Sequence, residues 1–293
     1  MRVLLTGGTG FIGSYVLEQL VAANQDVRVL ALPETLGQLK HSVHVVPGSV
    51  SDPGPLQRAT AGMDVVLHLA GLNPGSALGA LREVNVRGTQ NLLNAAVSQG
   101  VRRFVLLSSV AVYGPAPYPS MWPIYENFPR RAHGWFDFKT YAQSKIEAEN
   151  LVLRSHALSG IEYVILRPPV VYGPRPAIET MIKRIMAHPR LAISRDLPYP
   201  HMQWVYVSDL ATGMVQAGTL QQAANEIFNI AGAELFDIQD LVNIVSDLSP
   251  RPWTGQNLRY SFEKATWMLG YFPKVNLRSG IQGVLDAIHT GTA

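Results

Sequence analysis

Short, nearly continuous apolar runs alternate along the first part of the chain with longer stretches in which apolar residues recur every three to four positions. Runs of the first kind, near 2–6, 26–31, 43–46, 64–69, 102–108 and 161–167, have the length and continuity of strands buried on both faces. The intervening stretches 11–23, 53–61, 79–99 and 138–158 predict helices, and Leu81, Val84, Leu92, Leu93 and Ala96 hold one buried stripe. Strands alternating with helices predict an α/β fold, a doubly wound parallel sheet covered on both sides. Beyond Arg167 the alternation breaks down at Pro168, Pro169, Pro174 and Pro176. Helices still fit 177–188, 207–219, 237–248 and 277–290, and one more strand fits Glu226–Ile230. The expected organisation is a nucleotide-binding unit over 1–168, which also receives part of 200–232, and a smaller substrate-binding lobe over 169–293.

Composition narrows the chemistry. The 293 residues include no cysteine, which removes disulfides, thiolate-bound zinc and a thiol nucleophile, and no metal site is expected. A formal charge of +3 with scattered basic residues does not predict a nucleic-acid surface. No apolar run approaches the length of a membrane span, and Met1 leads directly into the first strand with no room for a leader, so a cytoplasmic protein is expected.

Candidate chemistry starts where the first strand ends, at Thr6-Gly-Gly-Thr-Gly-Phe-Ile-Gly-Ser14. Gly7, Gly10 and Gly13 allow a sharp turn, a close backbone approach to an anion and the start of a helix whose first N–H groups attract that anion. A glycine-rich turn in an ordinary α/β protein has the same spacing. The second strand ends in Ala31-Leu32-Pro33, with neither the acidic residue that would accept from a ribose 2′-hydroxyl nor the arginine that would pair with a 2′-phosphate. Glu34 lies slightly beyond, Arg28 sits too early in the strand, and no basic residue falls between Ala31 and Gln38, so NAD is favoured with NADP as the alternative. The fourth strand ends in His68-Leu-Ala-Gly71, small enough to let a dinucleotide lie across the strand ends. His68 itself reads as a packed histidine rather than a catalytic one. The fifth strand turns hydroxylic at Ser108 and Ser109, which would face the crevice outside the strand ends. Tyr141 and Lys145, four apart on a predicted helix, share one face, and a nearby ammonium favours a phenolate.

These segments occur in one order with Asn85-Val-x-Gly-Thr89, Val112-Tyr-Gly114, Arg167-Pro-x-x-Val-Tyr-Gly-Pro174, Trp204-Val-Tyr-Val-Ser-Asp-Leu-Ala211 and Lys264-Ala-x-x-x-Leu-Gly-Tyr-x-Pro273. Together they make the chain resemble, over essentially its whole length, the extended short-chain dehydrogenases/reductases of the NAD-dependent epimerase/dehydratase family. The resemblance implies a Rossmann-type fold and hydride transfer between nicotinamide and a substrate carbon. It makes Tyr141 the acid/base, Lys145 the residue that lowers the tyrosine pKa and holds the nicotinamide ribose, and Ser109 the hydrogen-bonding partner of the reacting oxygen. It further implies cofactor contacts at Gly7, Gly10, Phe11, Ile12 and Gly13 in the glycine turn and at Leu32, Ser49 and Val50 after the next two strands. Leu69, Ala70, Gly71, Asn85, Ser108 and Pro168, with Tyr141 and Lys145, complete the implied set. A homodimer formed through helices 79–99 and 138–158 is implied by the same analogy.

Departures from the family pattern refine the expectation. Val110 and Ala111 replace the Asp-Glu pair of the 4,6-dehydratases, so loss of a sugar hydroxyl is not expected. Val170 and Met202 replace residues that hold uridine diphosphate in galactose epimerases, whereas Arg251 stands where such enzymes place an arginine on the diphosphate. The expected function is oxidation of a sugar or nucleotide-sugar hydroxyl by an epimerase or dehydrogenase. The alternatives are an NADPH-dependent ketone or aldehyde reductase similar to dihydroflavonol reductases, for which Trp122, Trp135, Phe136 and Phe138 suit an apolar substrate, and a non-catalytic dinucleotide-binding protein.

Overall fold

The computed structural model describes residues 1–114, 123–133, 136–174, 176–187, 201–246 and 257–290. Seven parallel strands form the main sheet: β1 (Arg2–Thr6), β2 (Asp26–Ala31), β3 (His44–Pro47), β4 (Val65–His68), β5 (Arg103–Leu107), β6 (Glu162–Arg167) and β9 (Glu226–Asn229). Their spatial order is β3-β2-β1-β4-β5-β6-β9. The chain winds outward from β1 to β3, then crosses back to place β4 on the other side of β1. Leu5 therefore pairs with Val29 on one side and with Leu67 on the other. A crevice opens at this switch point, beyond the carboxyl ends of β1 and β4.

Alternation along the strands builds two core layers. Val3 and Leu5 pack with Val16, Leu17 and Leu20 of α1 (Phe11–Ala22) and with Leu210, Met214 and Ala217 of α6 (Val207–Thr219). Leu4, on the opposite face, packs in a layer with Leu56 of α2 (Pro53–Thr60), Leu92 and Leu93 of α3 (78–98), and Ala148 and Val152 of α4 (Phe136–Ser159). The expected single helix over 79–99 is α3, which runs through Leu78–Leu81, a π-helical stretch Arg82–Gly88, and Thr89–Ser98. The buried Arg103 on β5 donates to Glu162 and to the carbonyls of Ala217, Gly218 and Leu220, fixing the end of α6 against the sheet.

A second sheet is centred on β8 (His201–Tyr206), which pairs with β7 (Val170–Tyr172), β10 (Leu235–Phe236) and β11 (Asn257–Leu258). It packs with α5 (Pro176–Ala187), α7 (Ile238–Val245) and α9 (Leu277–Thr290) around Tyr172, Trp204, Phe236, Leu241 and Ile281, while α8 (Glu263–Leu269) lies against β9. These four strands and α8 are additions to the elements read from sequence. Among the described residues, no helix is long and apolar enough to cross a membrane.

Candidate active site

The glycine turn sits at the crevice. Gly7 has φ +74°, a conformation that favours glycine, and its carbonyl accepts from the Gly10 amide at 2.9 Å. A Cβ on Gly13 would lie 1.9 Å from the Gly7 carbonyl oxygen, so only glycine lets α1 start this close to β1. Gly10 is the N-cap and no side chain caps the helix, which leaves its first turn facing the crevice. This cradle fits the pyrophosphate of a dinucleotide, anion and helix terminus being complementary.

A cleft of about 1250 Å³ extends from this turn. Its walls include Gly7, Gly10, Phe11, Ile12, Gly13, Leu69, Gly71, Ser108, Ser109, Tyr141, Lys145 and Pro168. The fold thus gathers most of the sequence-predicted site into one concavity. Leu32, Ser49, Val50, Ala70 and Asn85 are not among its lining residues. Leu32 is exposed beyond β2, Val50 is buried beside Gly88, and Ser49 accepts from the Ser51 amide. Both polar atoms of the Asn85 amide are occupied within the fold, Oδ1 by the Leu72 amide at 2.7 Å and Nδ2 by the Leu72 carbonyl and Ser144. Arg251, Trp122 and Trp135 lie outside the described residues. Arg28 turns away from the cofactor side and donates to the Arg58, Ala59 and Ala61 carbonyls at the end of α2.

Ser109 follows β5 and accepts from the Ala111 amide at 3.1 Å, starting a 3₁₀ turn over Val110–Tyr113. The Tyr141 phenol lines the same cleft, near enough for the Ser109 hydroxyl to act on its ionisation. Burial pushes Tyr141 up to about 12, and the Ser109 hydroxyl offsets only part of that rise. Lys145, one helical turn on, donates to the Leu107 carbonyl at 3.0 Å, with its ammonium 5.8 Å from the centre of the Tyr141 ring. The sequence led us to expect an ammonium that lowers the phenol; in the protein alone, burial raises it instead. Burial likewise brings Lys145 down to about 8, with the Glu149 carboxylate opposing the fall.

Sequence reasoning passed over Glu149. It lies one more turn along the face that carries Tyr141 and Lys145, is wholly buried, and has both oxygens filled. Oε1 accepts from Ser108 Oγ at 2.7 Å and Arg167 Nε at 2.9 Å; Oε2 accepts from an Arg167 terminal nitrogen at 2.7 Å and from Arg130 at 2.9 Å. Ser108 therefore turns its hydroxyl into this cluster. The i+8 spacing from Tyr141 was the available signal, but a helical carboxylate is usually solvated.

His68 is buried within hydrogen-bonding distance of Thr6 Oγ1 (2.8 Å) and Thr89 Oγ1 (3.0 Å). Thr89 gives its proton to the Asn85 carbonyl, so it must accept from His68 Nε2–H, leaving Nδ1 to accept from Thr6. Burial lowers this histidine to about 3, with the Lys145 charge adding to the effect, and it stays neutral.

Away from the glycine turn the cleft is walled by Val170, Met202, Leu258, Tyr260 and Phe138, with His133 at its side. The polar end and the apolar end meet at Ser109 and Tyr141. A nucleotide cradle at the switch point of a parallel sheet, opening onto a Ser-Tyr-Lys set, defines a class: enzymes that pass a hydride between nicotinamide and a carbon bearing oxygen. The chain belongs to the NAD dependent epimerase/dehydratase family, whose model matches residues 3–231. It is similar to a dTDP-glucose 4,6-dehydratase of Streptomyces griseus, 29% identical with 98% of this chain and 94% of the relative covered. A UDP-glucose 4-epimerase of Vibrio cholerae is 26% identical, with 91% of this chain and 77% of the relative covered. Among solved structures, the Thermus thermophilus UDP-glucose 4-epimerase in complex with NAD superposes with a TM-score of 0.80 at 26% identity, covering 99% of each chain.

Proposed function

We propose that this family member oxidises a secondary hydroxyl of a nucleotide sugar and acts as an epimerase or dehydrogenase, with NAD preferred over NADP. The observation that carries the reading is the meeting of Ser109, Tyr141 and Lys145 in the cleft that begins at the glycine turn. In this proposal residues 1–168, with part of 200–232, bind the cofactor, and 169–293 mainly form the substrate lobe. The relatives named above support the substrate class.

Gly7, Gly10, Phe11, Ile12 and Gly13 would hold the pyrophosphate, and Lys145 the nicotinamide ribose. When bound, oxidised NAD supplies a hydride acceptor and a positive ring that favours the phenolate. Tyr141 takes the proton of the substrate hydroxyl as its carbon is oxidised and gives it back on reduction. Ser109, beside Tyr141 in the cleft, orients the same oxygen. Because the resting phenol is held protonated, the protein alone is set to donate to a carbonyl oxygen. Val110 is buried and Ala111 offers only a methyl group to the cleft, so no carboxyl group beside Ser109 is available to expel a sugar hydroxyl. The same reading takes the enzyme to be a cytoplasmic homodimer joined through α3 and α4.

The test is incubation of the purified enzyme with NAD and UDP-glucose, followed by mass spectrometry and chromatography. An epimer or an oxidised sugar supports the proposal; a 4-keto-6-deoxy product overturns the roles given to Val110 and Ala111. A second reading, reduction of an uncharged ketone, is favoured by Val170, Met202, Leu258, Tyr260 and Phe138 in the substrate half. Turnover of acetophenone with NADPH, and none of UDP-glucose, selects it.

A further inference from the structure

Segment 123–133 crosses between the catalytic residues and the wall of the substrate half. At one end Ile124 bridges to Tyr260, donating to the Arg259 carbonyl at 2.7 Å and accepting from the Ser261 amide at 2.9 Å. At the other end the Arg131 amide donates to the Val112 carbonyl at 2.7 Å, which ties the segment to the 3₁₀ turn capped by Ser109. Tyr260 and His133 both line the cleft, so the position of this strip sets the width of the substrate half.

Two arginines join the strip to the catalytic helix. Arg167 donates to the Glu126 carbonyl at 2.9 Å while holding Glu149 through two nitrogens. Arg130 reaches from the strip itself to Glu149 Oε2 at 2.9 Å, and its side chain is 27% exposed whereas those of Arg167 and Glu149 are 2% and 0% exposed. Arg130 is thus the water-facing arm of a charge cluster whose interior is sealed.

We propose that Arg130 is a positioning residue for the substrate: by clamping segment 123–133 to the buried Glu149, it sets the placement of His133 and Tyr260 against Ser109 and Tyr141. The proposal rests on the assignment of this end of the cleft to the substrate. It assigns Arg130 no part in proton or hydride transfer, and the NAD cradle lies at the opposite end. Truncating Arg130 leaves Glu149 its two bonds to Arg167 and its bond to Ser108, so the fold keeps its buried pair. Truncating Glu149 would strip the charge from Arg167, which is why Arg130 is the informative position.

The experiment compares wild type, Arg130→Met and Arg130→Lys as full chains with NAD. Hydrogen exchange is followed at the Ile124, Phe128 and Arg131 amides, NAD affinity by calorimetry, and kcat and KM on whichever probe the wild type turns over, UDP-glucose with NAD or acetophenone with NADPH. A lost charge-assisted hydrogen bond should raise exchange in the strip and KM about tenfold in Arg130→Met, with kcat and NAD affinity within about twofold of wild type. Arg130→Lys, which keeps a cation for Glu149, should recover most of the KM. Unchanged exchange in Arg130→Met, an unchanged KM, or an equal fall in NAD affinity overturns the clamp. A merely structural role would lower the melting temperature without splitting KM from kcat. The choice between the two probes judges the substrate reading separately, because the exchange measurement needs no substrate.

Discussion

Tyr141 and Ser109 already meet in the cleft before any substrate arrives, so removing only the phenolic oxygen isolates the proposed proton step. Tyr141→Phe should lower kcat by about 10²–10⁴ and leave calorimetric NAD affinity unchanged. Near-normal turnover in that variant would remove Tyr141 from the chemistry. Lys145 yields a two-sided pH prediction. Its folded value of about 8 lies below its ordinary 10.5, so the ammonium proposed to hold the cofactor is lost as pH rises through about 8. The kcat/KM profile should therefore fall on the alkaline side near that value. Stability from this group runs the other way: the unfolded chain binds the extra proton between about 8 and 10.5, so stability rises across that window and this contribution is lost as pH falls through about 8. Lys145→Met should abolish both trends, which denaturant titration and rate profiles can check. Tyr141 and Lys145 were legible in the sequence because four residues make one helical turn. Glu149 was not, because its partners Arg130 and Arg167 are far away along the chain and only the folded protein brings them to one carboxylate.

At the scale of elements, the end of β2 is where the proposal places cofactor choice. Leu32 is exposed there, followed by a 3₁₀ turn over Pro33–Gln38 in which Thr35 bonds both the Leu32 carbonyl and Thr9 of the glycine turn. With Arg28 occupied at the end of α2, a 2′-phosphate near Leu32 has no cation from that strand. Leu32→Arg should shift preference toward NADP by about tenfold, read by titrating both oxidised cofactors into each protein. A wild type that already prefers NADP would defeat the NAD preference. The strands of the main sheet were legible as largely apolar runs of four to six residues, most of them buried, although β3 buries only Val46. β7, β10 and β11 are two or three residues long, shorter than any period can establish, and β7 follows directly on Pro168-Pro169. The π-helical stretch in α3 left no mark in the hydrophobic stripe. Its evident product is the placement of Asn85 against Leu72 and Ser144, a polar match that periodicity does not report.

At the scale of the molecule, the cofactor-binding unit of the proposal is not one continuous piece of chain. β9 pairs with β6 through Ile165–Ile227 and Leu166–Phe228, and α6 covers the same sheet with Leu210, Met214 and Ala217, all wholly buried. A fragment ending at residue 168 should therefore be insoluble or molten by near-ultraviolet circular dichroism, whereas a soluble, cooperatively unfolding fragment would show that the first unit stands alone. The seventh strand also has a meaning for synthesis. While the ribosome is still making the segment between β6 and β9, the nascent sheet carries a bare parallel edge of Val164, Ile165 and Leu166 with nothing to pair it. The interval between residues 167 and 226 is thus a period of exposure to sticky neighbours, and slow translation there should deepen dependence on chaperones.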